Sequence, residues 1–208
     1  WCRSMKDQSI AGVILCGGQS RRMGGVTKAH QLLAGKPLLQ HVIERLAPQV
    51  GRVVLSVETI SDGFSGFGLE QVADPKPGHG GPLGGLVAAL RSVAEDHEWL
   101  LLVPCDAPFL PLNLAKRLCR CAVEAEADGC VVRYAGSVQP TFSIWNRNLL
   151  ASLEQAALRD GMGGFKHYLA VCPQVLLEWE RADISPFFNI NDAATLVEAE
   201  RLCSLQSR

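Results

Sequence analysis

The 208-residue sequence has no excess of charge of either sign: 20 lysines and arginines face 21 aspartates and glutamates, for a formal net charge of −1. That balance excludes a general attraction to nucleic acid or to anionic membrane, so any binding of polyanions must be local. No apolar run is long enough to span a bilayer, and the N-terminal region lacks the basic segment and apolar stretch of a secretory signal. The expected compartment is therefore the cytoplasm. Met5 reads as the natural start, and Trp1 to Ser4 receive no structural meaning. Neither G-x-G-x-x-G nor G-x-x-x-x-G-K-[S/T] occurs, which removes the usual dinucleotide fingerprint and the P-loop. Eight cysteines are present, but paired spacing is missing. Cys119-Arg120-Cys121 is too close for Cys-x-x-Cys, and Cys2, Cys16, Cys105, Cys130, Cys172 and Cys203 have no metal spacing, so reduced thiols are expected. Internal repeats and low-complexity linkers are also absent. One domain over residues 1–208 follows, long enough to bury roughly 70% of its unfolded surface.

What is present begins at Ile10. Residues 10–15 (I-A-G-V-I-L) form an apolar run without strict alternation, as expected for a strand buried on both faces of a parallel sheet. The chain then turns on Gly17-Gly18 and delivers Ser20, Arg21, Arg22, Gly24-Gly25 and Lys28. Glycines allow close backbone approach, and exposed N–H groups in such a turn can donate to phosphate oxygens. A tight turn with solvated arginines is the plainer alternative.

Three further polar stretches stand at the ends of predicted strands. Asp74-Pro75 opens a proline- and glycine-rich loop ending Gly81-Pro82-Leu83-Gly84-Gly85. In doubly wound folds ligands lie beyond the carboxyl ends of strands, which puts this loop beside the first. Asp74 is a ligand contact or a turn cap, and His79 reads as an exposed loop histidine. Trp99 to Val103 stops at Pro104-Cys105-Asp106-Ala107-Pro108, where a carboxylate is placed to hold a hard cation such as Mg²⁺ or to cap a turn. Near the end, Asn189 and Asn191 alternate along an extended segment and face one side, as ligand contacts or as satisfied loop amides. Asp192 is a candidate helix cap.

The remaining pattern predicts helices over 37–47, 83–93, 110–126, 149–158 and 193–202, and a short amphipathic piece at 165–169. Strands are expected at 52–57, 69–73, 99–103, 129–134, 138–145 and 175–179. Pro37 suits a first helical turn. Gln139-Pro140 should break the penultimate strand, and Gly163-Gly164 should open a flexible hinge.

The string Leu15-Cys16-Gly17-Gly18-Gln19-Ser20-Arg21-Arg22-Met23-Gly24-Gly25, closed by Lys28, resembles the L-x-G-G-x-S-x-R-M-G-x-x-K pattern of the MobA-like nucleotidyltransferases. The P-x-D-x-P loop at Asp106 and the F-x-N-x-N stretch ending at Asn191 follow in the same order. The resemblance implies an α/β, three-layer Rossmann-like nucleotidyltransferase fold with a central, mostly parallel sheet. A nucleotide-binding half would occupy about residues 10–110 and an acceptor half about 111–203. It further implies transfer of GMP from GTP to the terminal phosphate of molybdopterin, with Mg²⁺ on Asp106, and Arg22, Lys28 and Asp106 as the catalytic set. Leu15, Cys16, Gly17, Gly18, Arg22, Lys28, Ser56, Asp74, Gly81, Pro82, Leu83, Asp106, Asn189 and Asn191 would contact the nucleotide. Gln139-Pro140-Thr141 and Arg133 would approach the acceptor. The implied partners are GTP, molybdopterin and molybdoenzyme maturation proteins, without nucleic acid or membrane, and the chain is expected to act as a monomer. The resemblance favours guanine over cytosine, because MobA-like chains carry a glycine pair after the first strand, here Gly17-Gly18, where cytidylyl relatives carry alanine-glycine. Cytidylyl transfer to molybdopterin, sugar-phosphate nucleotidyl transfer and non-catalytic cofactor delivery are the alternatives. Three positions depart from the family pattern: Cys16 for alanine, Thr27 for an acidic residue, and Ser56 for asparagine.

Overall fold

The computed structural model describes residues 9–17, 28–75 and 81–206. A seven-stranded sheet is its backbone, formed by β1 (Ile10–Leu15), β4 (Arg52–Val57), β5 (Glu70–Ala73), β6 (Trp99–Pro104), β7 (Gly129–Tyr134), β8 (Ser137–Asn146) and β9 (Val175–Trp179). Their spatial order is β5-β4-β1-β6-β8-β7-β9. Neighbours are parallel except where β8 lies antiparallel to both β6 and β7. The sheet is thus mostly parallel, as expected.

β1 and β6 are buried along their whole length, because each has a strand on both sides and helices on both faces. Alternate residues serve different layers. Ile10 and Ile14 of β1 join Leu101 and Val103 of β6 in one core, beneath α1 (Leu38–Leu46) and α3 (Leu114–Glu124). Ala11, Val13 and Leu15 join Leu100 and Leu102 in the other, beneath α2 (Gly81–Val93), α4 (Leu150–Glu154) and α5 (Phe165–Val171). Such two-sided burial explains why the strands read as continuous apolar runs. Full burial of a leucine such as Leu39 or Leu86 contributes about 1.5–3 kcal/mol, and both are wholly inaccessible. Gly12 has a packing reason: a Cβ there would stand 3.0 Å from Leu46 Cδ2, so the glycine lets α1 approach the sheet. A third, smaller core joins Leu33, Leu38, Phe109 and Ile190 to Ala199 and Leu202 of α6 (Ala193–Gln206).

Several expectations change at this level. Residues 32–37 form a hairpin of two-residue strands, β2 (Leu32–Leu33) and β3 (Lys36–Pro37). Its turn places Ala34 and Gly35 at φ 49° and 75°, the doubly left-handed geometry of a tight hairpin. Pro37, expected inside the first turn of α1, instead precedes it with ψ 142°. The helix expected from residue 110 starts at Leu114, because Gln49 organises the chain before it. The buried Gln49 amide donates to the carbonyl of Pro111 at 2.8 Å and accepts the N–H of Ala115 at 3.1 Å. That satisfies a helix-end donor that has no intrahelical partner.

Pro140 does not break β8, which runs unbroken through it. The pairing with β7 slips instead, from Val131↔Ser143 to Val132↔Gln139, and a bulge accommodates a residue that has no N–H to donate. Gly163 is not a hinge: its carbonyl accepts the Leu83 N–H at 3.3 Å, tying the loop before α5 to the start of α2. The expected 149–158 helix is α4 followed by a π turn at Gln155–Arg159.

Candidate active site

β1, β4 and β6 end on one edge of the sheet, and their hydrogen-bond ladder continues one residue further. Cys16 N donates to Ser56 O at 2.8 Å, and Cys105 N donates to Leu15 O at 3.1 Å. Asp74 N, past the end of β5, donates to Val57 O at 2.9 Å. Residues that follow four parallel strands are therefore held in fixed register around one opening, where open α/β sheets bind ligands. The opening is a cavity of about 480 Å³.

Its floor is the β1–β6 junction, with Leu15, Cys16 and Gly17 beside Pro104, Cys105 and Asp106. One wall comes from Ser56, Val57, Glu58 and Asp74, and the rim opposite from Gly81, Pro82 and Gly85 of α2 together with Thr141. The small residues of α2 are required by contact. A Cβ on Gly84 would stand 2.8 Å from Asp74 Oδ1, so the Asp74 carboxylate sits against the first turn of the helix, the end that favours negative charge.

Lys28 joins three separate parts of the chain. Its ammonium lies 3.0 Å from Asp106 Oδ2 and 2.6 Å from Asn191 Oδ1. Ile190 N in turn donates to the Asp106 carbonyl at 2.9 Å. The Lys28 and Asp106 side chains retain 24% and 10% of their accessibility, so the pair is partly shielded from water yet open to a ligand. Asp192 caps α6 by accepting the Thr195 N–H at 2.8 Å. Hydrogen bonds from the Thr195 backbone and hydroxyl hold its carboxyl below the ordinary range.

Cys16 and Cys105 meet at the floor. A hydrogen bond between the two thiols, followed by burial, pushes the Cys16 thiol well above its ordinary value. A thiol in that state is a poor nucleophile, because the thiolate is the reactive form. Cys105, Cys119 and Cys130 are buried, and none of these or of Cys16, Cys121, Cys172 and Cys203 is in a disulfide.

Asp106 fits a magnesium ligand. Its Oδ2 is engaged by Lys28, and its Oδ1 has no partner among the described residues. No cluster of three metal-binding side chains exists among the described residues. Mg²⁺ ordinarily takes one or two carboxylates and completes its shell with phosphate oxygens and water, so one strand-end carboxylate beside a phosphate-sized opening suffices.

Of the expected contact residues, Leu15, Cys16, Gly17, Lys28, Ser56, Asp74, Gly81, Pro82 and Asp106 all line the cavity. Gly18, Arg22, Thr27 and His79 lie outside the described residues. Leu83 does not line it: its side chain is wholly buried in the α2 core, because the helix begins at Gly81 and turns that position inward. Asn191 acts through Lys28. Asn189 does not line the cavity, and its Oδ1 is buried and unpaired among the described residues. Thr141 reaches the cavity, whereas Arg133 pairs with Glu178 at 3.2 Å across β7 and β9. Glu58 and Cys105 were not anticipated. Their signal was positional: each is within one residue of the end of a strand that was correctly placed.

A family model described as the MobA-like NTP transferase domain matches residues 12–179. The chain belongs to that family. It is 39% identical over 199 residues to a protein of Rhodopseudomonas palustris (strain BisB5) called molybdenum cofactor guanylyltransferase, covering 94% of this chain and 95% of the relative. Among solved structures, it resembles molybdopterin-guanine dinucleotide biosynthesis protein A from Archaeoglobus fulgidus, with a TM-score of 0.75 at 22% identity over 94% of this chain and 99% of that one. A 4-diphosphocytidyl-2C-methyl-D-erythritol synthase from Anaerococcus prevotii superimposes with a TM-score of 0.72 at 10% identity, over 96% and 100% of the two chains. The Rossmann-like fold is thus shared with a protein named for a cytidyl product, and fold alone does not choose the base.

Proposed function

We propose that this chain transfers GMP from GTP to the terminal phosphate of molybdopterin, giving molybdopterin guanine dinucleotide and pyrophosphate. The Lys28–Asp106–Asn191 junction, whose lysine and aspartate line the cavity, carries this reading. It places one cation and one strand-end carboxylate at the point where a triphosphate entering the opening would bring its charge. The near full-length likeness to relatives named for guanylyl transfer supports the choice of nucleotide and acceptor.

In the reaction a phosphate oxygen of the acceptor attacks the α-phosphorus of GTP. One P–O bond forms, the bond to the bridging oxygen of the β-phosphate breaks, and pyrophosphate leaves with the electron pair. The attacking oxygen is already anionic, so no strong general base is needed. Lys28 would offset the charge that grows on the departing oxygens, and Asn191 orients the ammonium for that task. The Gly17 backbone lets the phosphates approach closely. Such preorganised donors account for much of the rate in phosphoryl transfer. Asp106 would hold Mg²⁺, which when bound supplies positive charge between the phosphates. Cys16, its thiol held well above the ordinary value, would leave its part of the floor uncharged.

The test is pyrophosphate release from GTP, CTP, ATP and UTP with Mg²⁺, with and without molybdopterin. Release with GTP that requires molybdopterin is expected. Release with CTP alone, or with a hexose 1-phosphate in place of molybdopterin, would overturn the assignment.

A further inference from the structure

Among the described residues, Lys28, Glu58, Asp74 and Asp106 are the charged side chains that line the cavity. Three carboxylates beside one ammonium is an unusual lining for a pocket that receives a triphosphate. Two of them are accounted for. Asp106 pairs with Lys28, and Asp74 sits against the first turn of α2. Glu58 alone of the three makes no hydrogen bond or ion pair with any described residue. No described residue engages its acceptor oxygens, and the residue lines the opening.

Position narrows what that occupant presents. Glu58 follows Val57, the last residue of β4, and Asp106 follows the end of β6, with β1 between the two strands. Two inter-strand spacings separate them by about 10 Å. An uncompensated carboxylate would repel phosphates, so it belongs at the far end of a nucleotide whose phosphates lie near Lys28. Its backbone closely approaches the glycine turn: a Cβ on Gly17 would meet Glu58 N at 3.6 Å. Glu58 and Gly17 therefore line the same part of the cavity.

We propose that Glu58 selects guanine, its carboxylate accepting the N1–H and the exocyclic N2–H of the base together. This rests on the guanylyl-transfer reading above. Guanine offers two adjacent donors on that edge, which match the two oxygens of a carboxylate. Cytosine offers one donor beside acceptors, and a carboxylate repels those acceptors. Adenine offers a single exocyclic donor. A site built around acceptors rejects a ligand lacking the donor far more strongly than a site that merely packs against it.

The experiment measures equilibrium binding of GTP, inosine triphosphate and CTP, with Mg²⁺ and without molybdopterin, to the wild type, Glu58→Gln and Glu58→Ala. Inosine triphosphate keeps N1–H and lacks the 2-amino group. Glu58 is exposed, so both variants are expected to fold, as a thermal melt will verify. The wild type should prefer GTP over inosine triphosphate by about ten- to a hundredfold. Both variants should shrink that ratio to within about threefold, through weaker GTP binding, while affinity for inosine triphosphate changes less. A GTP to inosine ratio left intact in both variants removes Glu58 as the selector and spares the guanylyl reading. Preference for CTP in the wild type overturns the guanylyl reading itself.

Discussion

Replacing Gly81 by alanine should damage the protein at two places with one methyl group. Gly81 opens α2 with φ 50°, a left-handed angle that costs an alanine about 1–2 kcal/mol. The added Cβ would also fall well inside contact distance of the Gly163 carbonyl oxygen, with Gly163 C at 3.0 Å. These are backbone atoms and cannot rotate away, so an overpacking cost of about 1–3 kcal/mol applies. The stiffer unfolded chain returns about 0.4–1 kcal/mol. A central value of about 3 kcal/mol corresponds to a fall of roughly 6–12 °C in melting temperature for a chain of this length. Relief of the clash requires the first turn of α2 to retreat from Gly163. Gly81 and Pro82 line the cavity, so GTP binding should weaken in the same variant. Gly164→Ala is the control, since a Cβ there meets nothing within 4 Å and φ is −123°. Calorimetric melts of both variants, with GTP titrations, check the reasoning. A Gly81→Ala melt within about 2 °C of wild type, or no difference from Gly164→Ala, would refute it.

Gly85→Ala drives a methyl into Ser56 Oγ, whereas Ser56 Cβ lies at a comfortable 3.6 Å; the single variant should lose about 1–3 kcal/mol, and adding Ser56→Ala should restore most of it in urea denaturation. A double variant no more stable than Gly85→Ala would show that the clash is not the cause. Asn191→Ala frees the Lys28 ammonium from one of its two partners among the described residues and should raise the GTP dissociation constant about three- to tenfold, the usual scale for a partly exposed bond to a charged group. Unchanged affinity would remove Asn191 from the site. Alkylation of Cys16 by iodoacetamide should be slow near pH 7.5, because the neighbouring thiol and burial raise its titration, and should climb about tenfold per pH unit above that as thiolate appears. Rapid labelling at neutral pH, followed by peptide mass mapping, would contradict the hydrogen-bonded thiol pair.

Much of the central sheet was legible in the chain. Strands buried on two faces advertise themselves as unbroken apolar runs, and β1, β4, β7 and β9 begin and end where the pattern puts them. The β2–β3 hairpin stayed hidden because two-residue strands are too short for any alternation to register. The late start of α3 was equally invisible, since it depends on Gln49, more than sixty residues upstream, reaching the Pro111 carbonyl. At the site, the residues that end strands were found by the chemistry they bring: glycine, lysine and carboxylate in a loop. Leu83 was misplaced because motif adjacency carries no information about which way a helix turns its second and third residues. Asn191 was expected beside the nucleotide, but its link to Lys28 spans 163 positions, a separation at which local pattern is silent. Glu58 had the right address and no motif to mark it.

That same link has a consequence for how the protein is made. Lys28 follows the first loop and Asn191 precedes α6, and Ile190 secures the Asp106 segment from the same end. A nascent chain emerging from the ribosome would complete the strands that frame the cavity long before the residues that set its lysine. Nucleotide held during synthesis would therefore be held loosely, and competence would arrive in a single late step, when the C-terminal segment docks. A chain that stops short of Asn191 would keep most of the sheet and the Lys28–Asp106 pair while lacking the amide that completes the lysine's setting.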